Sequence, residues 1–454
     1  MARFLLILLT FVTLAAPVRA DDRSVIIRDT EIEAVLKIWA DPVIRASELN
    51  PETINFILVQ SPEINAFVAG GPNIFLYTGL LEKTDNPEQV IGVIAHELGH
   101  IRGGHLVRTH GAMENASYES MLGTILGIGA AIATGNGGVG AAVAAGSQST
   151  ALNKYLAFSR IQESSADQSA LDSMEKAKIS PGGMLAFMKK LESQELLPAS
   201  QQSEYVRTHP LTRDRIEAMA AGFTRSVNKD IAAPAVWNEQ HARIIAKLTA
   251  FITPEKVVWN YPDGDKSIAA DYARAIAAYR QNKVEDALAR MDALLAREND
   301  NPYFLELKGQ MLLDFGKVEK ALPYYKKSID TLSHAPLIRI AYAQALIESA
   351  GQNVHRDRLD DAITQLERAM RDEPRSSRTF RLLATAWGRK GNEPMAWLYL
   401  AEEALLKQDK EYAKRQATAA LNGLEKGSRP WIRAQDILIY LEKGGNEDES
   451  KNKN

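Results

Sequence analysis

Residues 90–105 read V-I-G-V-I-A-H-E-L-G-H-I-R-G-G-H and constrain the chain more than any other stretch. The run is apolar and free of proline, so it reads as a helix. Within it, His96 and His100 stand at i and i+4, which puts both imidazoles on one helix face and within reach of one metal ion. Glu97 is offset by about 100° and can lie beside a water at that ion rather than on it. Two histidines and a glutamate in an otherwise apolar helix are costly without a partner. A catalytic zinc site takes neutral nitrogen or anionic oxygen or sulfur donors and keeps one position open for water. The stretch therefore offers two ligands and a general base.

A third ligand is sought downstream. Residues 155–171 read Y-L-A-F-S-R-I-Q-E-S-S-A-D-Q-S-A-L. Glu163 and Asp167 share a helix face at i, i+4, a spacing common on solvated helices. After an H-E-x-x-H helix it gains a second meaning. Glu163 completes a His-His-Glu zinc site, and Asp167 accepts a hydrogen bond from the rear nitrogen of a ligand histidine. Further on, Y-V-R-T-H-P-L-T-R-D-R-I places His209 before a proline, so its backbone is extended and its side chain can reach a cleft. An arginine such as Arg213 or a histidine is a candidate for stabilising the oxyanion. His105 and His110 are further candidates to ligate or to support a ligand, and the reading preferred for both is structural or exposed.

The chain has 454 residues, too many for one compact core, so two or three domains are expected. A net charge of −3 argues against nucleic acid as the main partner. The absence of cysteine excludes disulfides, thiolate ligands and a cysteine nucleophile. At the N-terminus, Arg3, an apolar run over 4–16 and Val18-Arg19-Ala20 form a secretory signal pattern cut after Ala20. The body is then exported to the periplasm or cell envelope, at most peripheral to the outer membrane. Residues 121–146 are almost uncharged and rich in Gly, Ala and Ile. They read as a mobile lid or a close-packed helix pair, with membrane contact as the lesser reading.

Ahead of the H-E-x-x-H helix, an amphipathic helix is expected from Ile26 to Trp39. Strands are expected over 55–60, 64–69 and 74–78, in a small antiparallel sheet. The edge of that sheet either pairs with extended substrate or is purely structural. In the C-terminal half, Asn301-Pro302 and Ala335-Pro336 recur 34 residues apart, the tetratricopeptide period, with Gly316 and Gly391 at turns and Ala287, Ala321 and Tyr325 at packing positions. Four or more such units stack as a solenoid, a form that commonly binds peptide or protein.

H-E-L-G-H, S-R-I-Q-E-S-S-A-D and T-H-P-L-T-x-x-R-I, with I-N-A-F-V-A-G-G-P-N-I-F-L-Y-T-G-L-L before them, resemble the gluzincin metallopeptidases related to HtpX and the CAAX prenyl proteases. The resemblance spans about residues 25–225. It implies one zinc ion per chain on His96, His100 and Glu163, with Glu97 as general base and Asp167 supporting a ligand histidine. The signal-bearing form with a repeat tail is similar to periplasmic members, in which the histidine of the His-Pro-Leu loop caps the zinc; that role falls on His209.

The expected fold is mainly α. A signal peptide (1–20) precedes an α+β zinc peptidase domain (21–225). A linker or bridging segment (226–264) leads to an all-α tetratricopeptide solenoid (265–445), and a disordered tail (446–454) ends the chain. The expected function is periplasmic zinc-dependent endopeptidase action on misfolded or stalled envelope proteins, with the repeats recruiting protein substrates and assembly machinery. The rival is a chaperone or assembly factor for outer-membrane proteins whose protease is latent. A hydrolase of another bond, such as a cell-wall amide, fits the repeat tail less well.

Overall fold

The computed structural model describes residues 25–105 and 160–451, apart from positions 199, 333 and 352–355. The signal pattern, His110, the Gly/Ala-rich stretch and the last three residues lie outside these.

Helix α1 (Thr30–Ala46) starts where the Asp29 carboxylate accepts the Ile32 amide at 2.9 Å. The residues just before it, expected as its first turn, form strand β1 (Val25–Ile27), because they pair antiparallel with β2 (Asn55–Gln60). Strands β3 (Ala66–Val68) and β4 (Asn73–Tyr77) complete a sheet of order β1-β2-β4-β3. This sheet is mixed, not purely antiparallel as expected, since β2 and β4 run parallel. The difference lies in strand order, because β2 pairs with β4 and not with its chain neighbour β3. Gly70 (φ 68°) and Gly71 (φ 95°) take the left-handed backbone that closes β3 and β4 into a hairpin. Strand β3 lies on the outer edge, and β2 joins the other side of β4. The period of two is visible across the sheet: Phe56, Leu58, Ala66, Val68, Ile74 and Leu76 face the helical core, while Phe67 stacks on Phe75 at 4.9 Å on the reverse face.

Helix α2 (Thr78–Lys83) leads to α3 (Pro87–Arg102). Asn86 caps α3 by accepting the Gln89 amide, and Pro87 takes a first-turn position where no amide hydrogen is needed. Residues 89–100 of α3 are all buried. Two glycines allow its neighbours to approach. A Cβ on Gly92 would meet Met184 at 2.7 Å, and one on Gly99 would meet the Ala166 carbonyl at 2.7 Å. Met184 lies on α5 (Gly182–Leu191) and Ala166 on α4 (Arg160–Lys176). Helices α6 (Glu204–Thr208) and α7 (Arg213–Arg225) flank the His209 loop.

Within 226–264 lies helix α8 (Ala235–Ile252), which belongs to two cores. Ile244 and Leu248 pack with α1 and α3, whereas Ala246 and Ala250 pack with the first hairpin of the C-terminal half. That half is a series of helix pairs: Ile268–Arg280 with Val284–Arg297, Pro302–Asp314 with Val318–Thr331, Pro336–Ser349 with Arg356–Asp372, Ser377–Arg389 with Glu393–Leu406, and Lys410–Gly423 with Arg429–Lys451. Ala287, Ala321 and Tyr325 are buried between helices, and Gly316 and Gly391 adopt φ values of 70° and 81° at their turns. The final helix carries on past position 446, where the sequence reading expected disorder.

His241 on α8 is buried, with Nε2 2.9 Å from the Thr84 hydroxyl. Burial pushes its pKa down to about 4, against the opposing charge of Asp85. The unfolded chain therefore binds a proton that the folded chain refuses. Stability from this site is complete above about pH 6.5 and is lost as pH falls from there toward 4. Acid-induced loss of stability across that window should be steeper for the wild type than for His241→Gln, by up to about 3 kcal/mol in total. Equal slopes in urea titrations at stepped pH would contradict this.

Candidate metal centre

Helix periodicity brings His96 and His100 together on α3, and the close approach at Gly99 brings α4 alongside with Glu163 and Asp167. All four side chains, with Glu97 and His209, are buried. His96 Nε2 lies 3.1 Å from His100 Nε2 and 3.3 Å from His209 Nδ1. Glu163 Oε1 lies 3.1 Å from His209 Nδ1 and 3.3 Å from His100 Nε2. Ligand atoms at about 2.0–2.1 Å from a tetrahedral zinc are separated from each other by about 3.3 Å. The observed spacings match that edge length, and all four donor atoms fall within 4.8 Å of one another.

The rear atoms of the rings are engaged, which turns the other ring nitrogens inward toward one another. His96 Nδ1 donates to Asp167 Oδ1 at 2.9 Å. His209 Nε2 donates to the Ala66 carbonyl at 3.2 Å, which leaves Nδ1 as the acceptor. His100 Nδ1 shares a hydrogen bond of 3.0 Å with Nδ1 of His105. His105 is buried and stands behind His100, the supporting place that the sequence offered as its lesser reading. Neither oxygen of Glu97 has a hydrogen-bond partner among the described residues, although His209 Nε2 lies 3.5 Å from Oε1. An unpaired buried carboxylate is expensive. Beside an inward-facing N, N, O, N donor set it fits a group that handles a proton, and the donor set fits zinc.

The electrostatics agree. Burial opposes charge on the His96 ring, yet the Glu163 and Asp167 carboxylates outweigh it and push that pKa up to about 10. Burial and the charge on His96 take His100 down to about 3. Burial would raise Glu163, but the His209 and His96 rings hold it well below the usual carboxylate range. In the metal-free protein His96 thus keeps a proton that an ion must displace. Zinc uptake at pH 7 should release about one proton or more, and apparent affinity should rise up to about tenfold per pH unit. Titration calorimetry in buffers of different ionisation enthalpy counts those protons; a count of zero would contradict the assignment.

Two contributors escaped the sequence reading. Arg213 is exposed and paired with Glu217 on its own helix, so it stands away from the centre. Arg215 is the arginine in the site. It is buried, and its Nε and Nη2 donate to both oxygens of Asp167. Helix phase could have separated the two, since Arg215 is one turn before buried Met219 and Arg213 one turn before exposed Glu217. The second is Ala66. Asn65 and Ala69 pair with β4, so the intervening Ala66 carbonyl faces the open side of β3, where His209 takes it.

Comparison with known proteins adds to this geometry. Residues 27–221 match the model of peptidase family M48, and residues 272–336 match a tetratricopeptide repeat model. The chain is 27% identical over 376 residues to the β-barrel assembly-enhancing protease of Escherichia coli (strain K12), an alignment covering 81% of this chain and 71% of that protein. The protein of the same name from Yersinia pestis is 25% identical over 382 residues, covering 81% and 72%. Metalloprotease LoiP of Escherichia coli (strain K12) is 30% identical over 175 residues, 38% of this chain and 63% of LoiP. The chain carries a peptidase family M48 domain followed by tetratricopeptide repeats, and it is a zinc metallopeptidase of that type.

Proposed function

We propose that this chain is a self-restrained zinc endopeptidase of the periplasm that hydrolyses misfolded or stalled outer-membrane proteins, with its solenoid recruiting protein partners. One observation carries the reading: four inward-facing donors at tetrahedral spacing beside an unpaired buried Glu97. On this reading His96, His100 and Glu163 would hold one zinc ion per chain, with His209 as a further donor. The bound ion supplies Lewis acidity, polarising the scissile carbonyl and making the attacking water more acidic.

The remaining steps belong to the chain. A Glu97 oxygen accepts a proton from the attacking water and returns it to the leaving amine nitrogen. The water oxygen bonds to the acyl carbon, the C–N bond breaks, and the amine departs with the proton. Asp167 holds the His96 ring so that Nε2 stays forward. The open edge of β3 offers main-chain groups to an extended substrate strand. His209 occupies the Ala66 carbonyl on that edge and a donor position at once, so seating it blocks both substrate and water.

The relatives named for β-barrel assembly support the substrate class, and the repeats support partner recruitment. The expected signal peptide supports the periplasm, and no helix among the described residues is long and apolar enough to cross a membrane. The seated His209 also favours a second reading, an assembly factor or chaperone whose protease stays latent. Cleavage of an unfolded model protein separates the two. His209→Ala should cleave at least about tenfold faster than wild type, the effect of removing a closed state favoured by about 1.4 kcal/mol. Stoichiometric zinc with no cleavage in either protein favours the assembly factor, and no zinc at all overturns both.

A further inference from the structure

Arg215 makes four contacts with one buried guanidinium. Nε and Nη2 hold Asp167 Oδ2 and Oδ1 at 2.7 and 2.8 Å. Nη1 forms an ion pair with Glu163 Oε2 at 2.7 Å and donates to the Pro210 carbonyl at 2.8 Å. Asp167 Oδ1 also receives His96 Nδ1, so the arginine and the histidine share one oxygen. Pro210 directly follows His209. The same side chain therefore grips α4, which carries Glu163 and Asp167, and the loop that carries His209.

We infer that Arg215 is a positioning residue that pins His209 into the donor set, coupling the seat of that histidine to the orientation of Glu163 and the Asp167–His96 pair. The inference rests on reading His209 as the fourth donor. The loop has other ties, but they run to different places: His209 Nε2 donates to the Ala66 carbonyl at 3.2 Å, and its Nδ1 faces Glu163 Oε1 at 3.1 Å. Leu211 donates its amide to the Glu195 carboxylate at 3.2 Å, and the Tyr205 ring lies 4.8 Å from that of His209. Among the described residues, Arg215 is the side chain whose contacts join the Pro210 carbonyl of this loop, Glu163 and Asp167 at one group. A lysine keeps the charge, but it is a point donor on a shorter reach and cannot hold two carboxylates in a fork while reaching a carbonyl. Lysine also leaves Asp167 and Glu163 with a cation nearby, which limits the penalty for buried unpaired charge.

The test uses the full chain loaded with cobalt(II), whose visible ligand-field absorption reports the number and kind of donors. Wild type, His209→Ala, Arg215→Lys and the double variant are compared. Hydrogen exchange is followed in residues 204–212 and, as a check on folding, in the solenoid helices. The expected result is that Arg215→Lys moves the cobalt spectrum to that of His209→Ala, with no further change in the double variant. Exchange in 204–212 should accelerate while the solenoid is unchanged, and the zinc dissociation constant should rise by about 10- to 100-fold. A wild-type cobalt spectrum and wild-type loop exchange in Arg215→Lys overturn the inference. That holds even if zinc affinity falls, because Arg215 would then serve Asp167 alone. Identical cobalt spectra for wild type and His209→Ala overturn the reading of His209, and the inference with it.

Discussion

Glu97→Gln is expected to lower peptide cleavage by about 10³-fold or more while leaving one zinc ion per chain. Glu97 lies outside the cluster of four donors, so its replacement removes no ligand. The amide has the shape of the carboxylate and fills the same buried space, but it cannot accept a proton from water. General-base contributions are commonly about 10²–10⁴-fold. The measurement belongs in the His209→Ala background, where the seated histidine does not mask the chemistry. Zinc is counted by atomic absorption after dialysis. Glu163→Gln provides the contrast, since a weaker neutral donor should lose metal first and activity as a consequence. Full activity in Glu97→Gln would remove Glu97 from the chemistry. Zinc loss in that variant would make it a ligand.

What could be read from the sequence divides by the distance over which each signal acts. The pair His96 and His100 is fixed by the pitch of a single helix, so spacing alone places both on one face. Glu163 and Asp167 also share a helix, but their meeting with α3 depends on Gly99 admitting the backbone of Ala166, a contact across 67 positions. Spacing raises that possibility and only packing makes it. The tetratricopeptide units are local and repeat, so Gly316, Gly391 and the buried alanines mark them in the sequence. Strand direction is different. Residues 55–60 and 74–78 each read as strand, yet nothing in either says that the first pairs with the second rather than with the strand between them, which is what makes the pair parallel. The Ala66 carbonyl is a main-chain group, and no residue type announces it. Choosing between Arg213 and Arg215 needed the phase of a helix whose start was uncertain by a residue or two, enough to exchange a buried arginine for an exposed one.

Lys247→Met is expected to destabilise the protein by about 3–5 kcal/mol, because it breaks the ionic junction between the peptidase domain and the solenoid. Lys247 is buried on α8, with Nζ 2.7 Å from Asp29 and 3.0 Å from Glu31. Glu31 also accepts the Tyr272 hydroxyl at 3.0 Å from the first solenoid helix. Burial opposes the lysine charge, but Asp29, the Tyr272 side chain and Glu31 hold its pKa well above the ordinary value. Without the ammonium, two carboxylates face each other in a site that also holds Glu306, whose pKa burial has already pushed up to about 7. Removing one partner of a buried network costs more than removing the whole network. Glu31→Leu and Tyr272→Phe added to Lys247→Met should therefore recover most of the loss in urea unfolding. If the single variant is as stable as wild type, the junction contributes nothing and the shared apolar face of α8 alone seats the solenoid. If it is destabilised and the triple variant recovers, the cost arises from unpaired charge at the junction. In the single variant the solenoid should then loosen from a peptidase core that still binds zinc, because Lys247 touches none of the four donors.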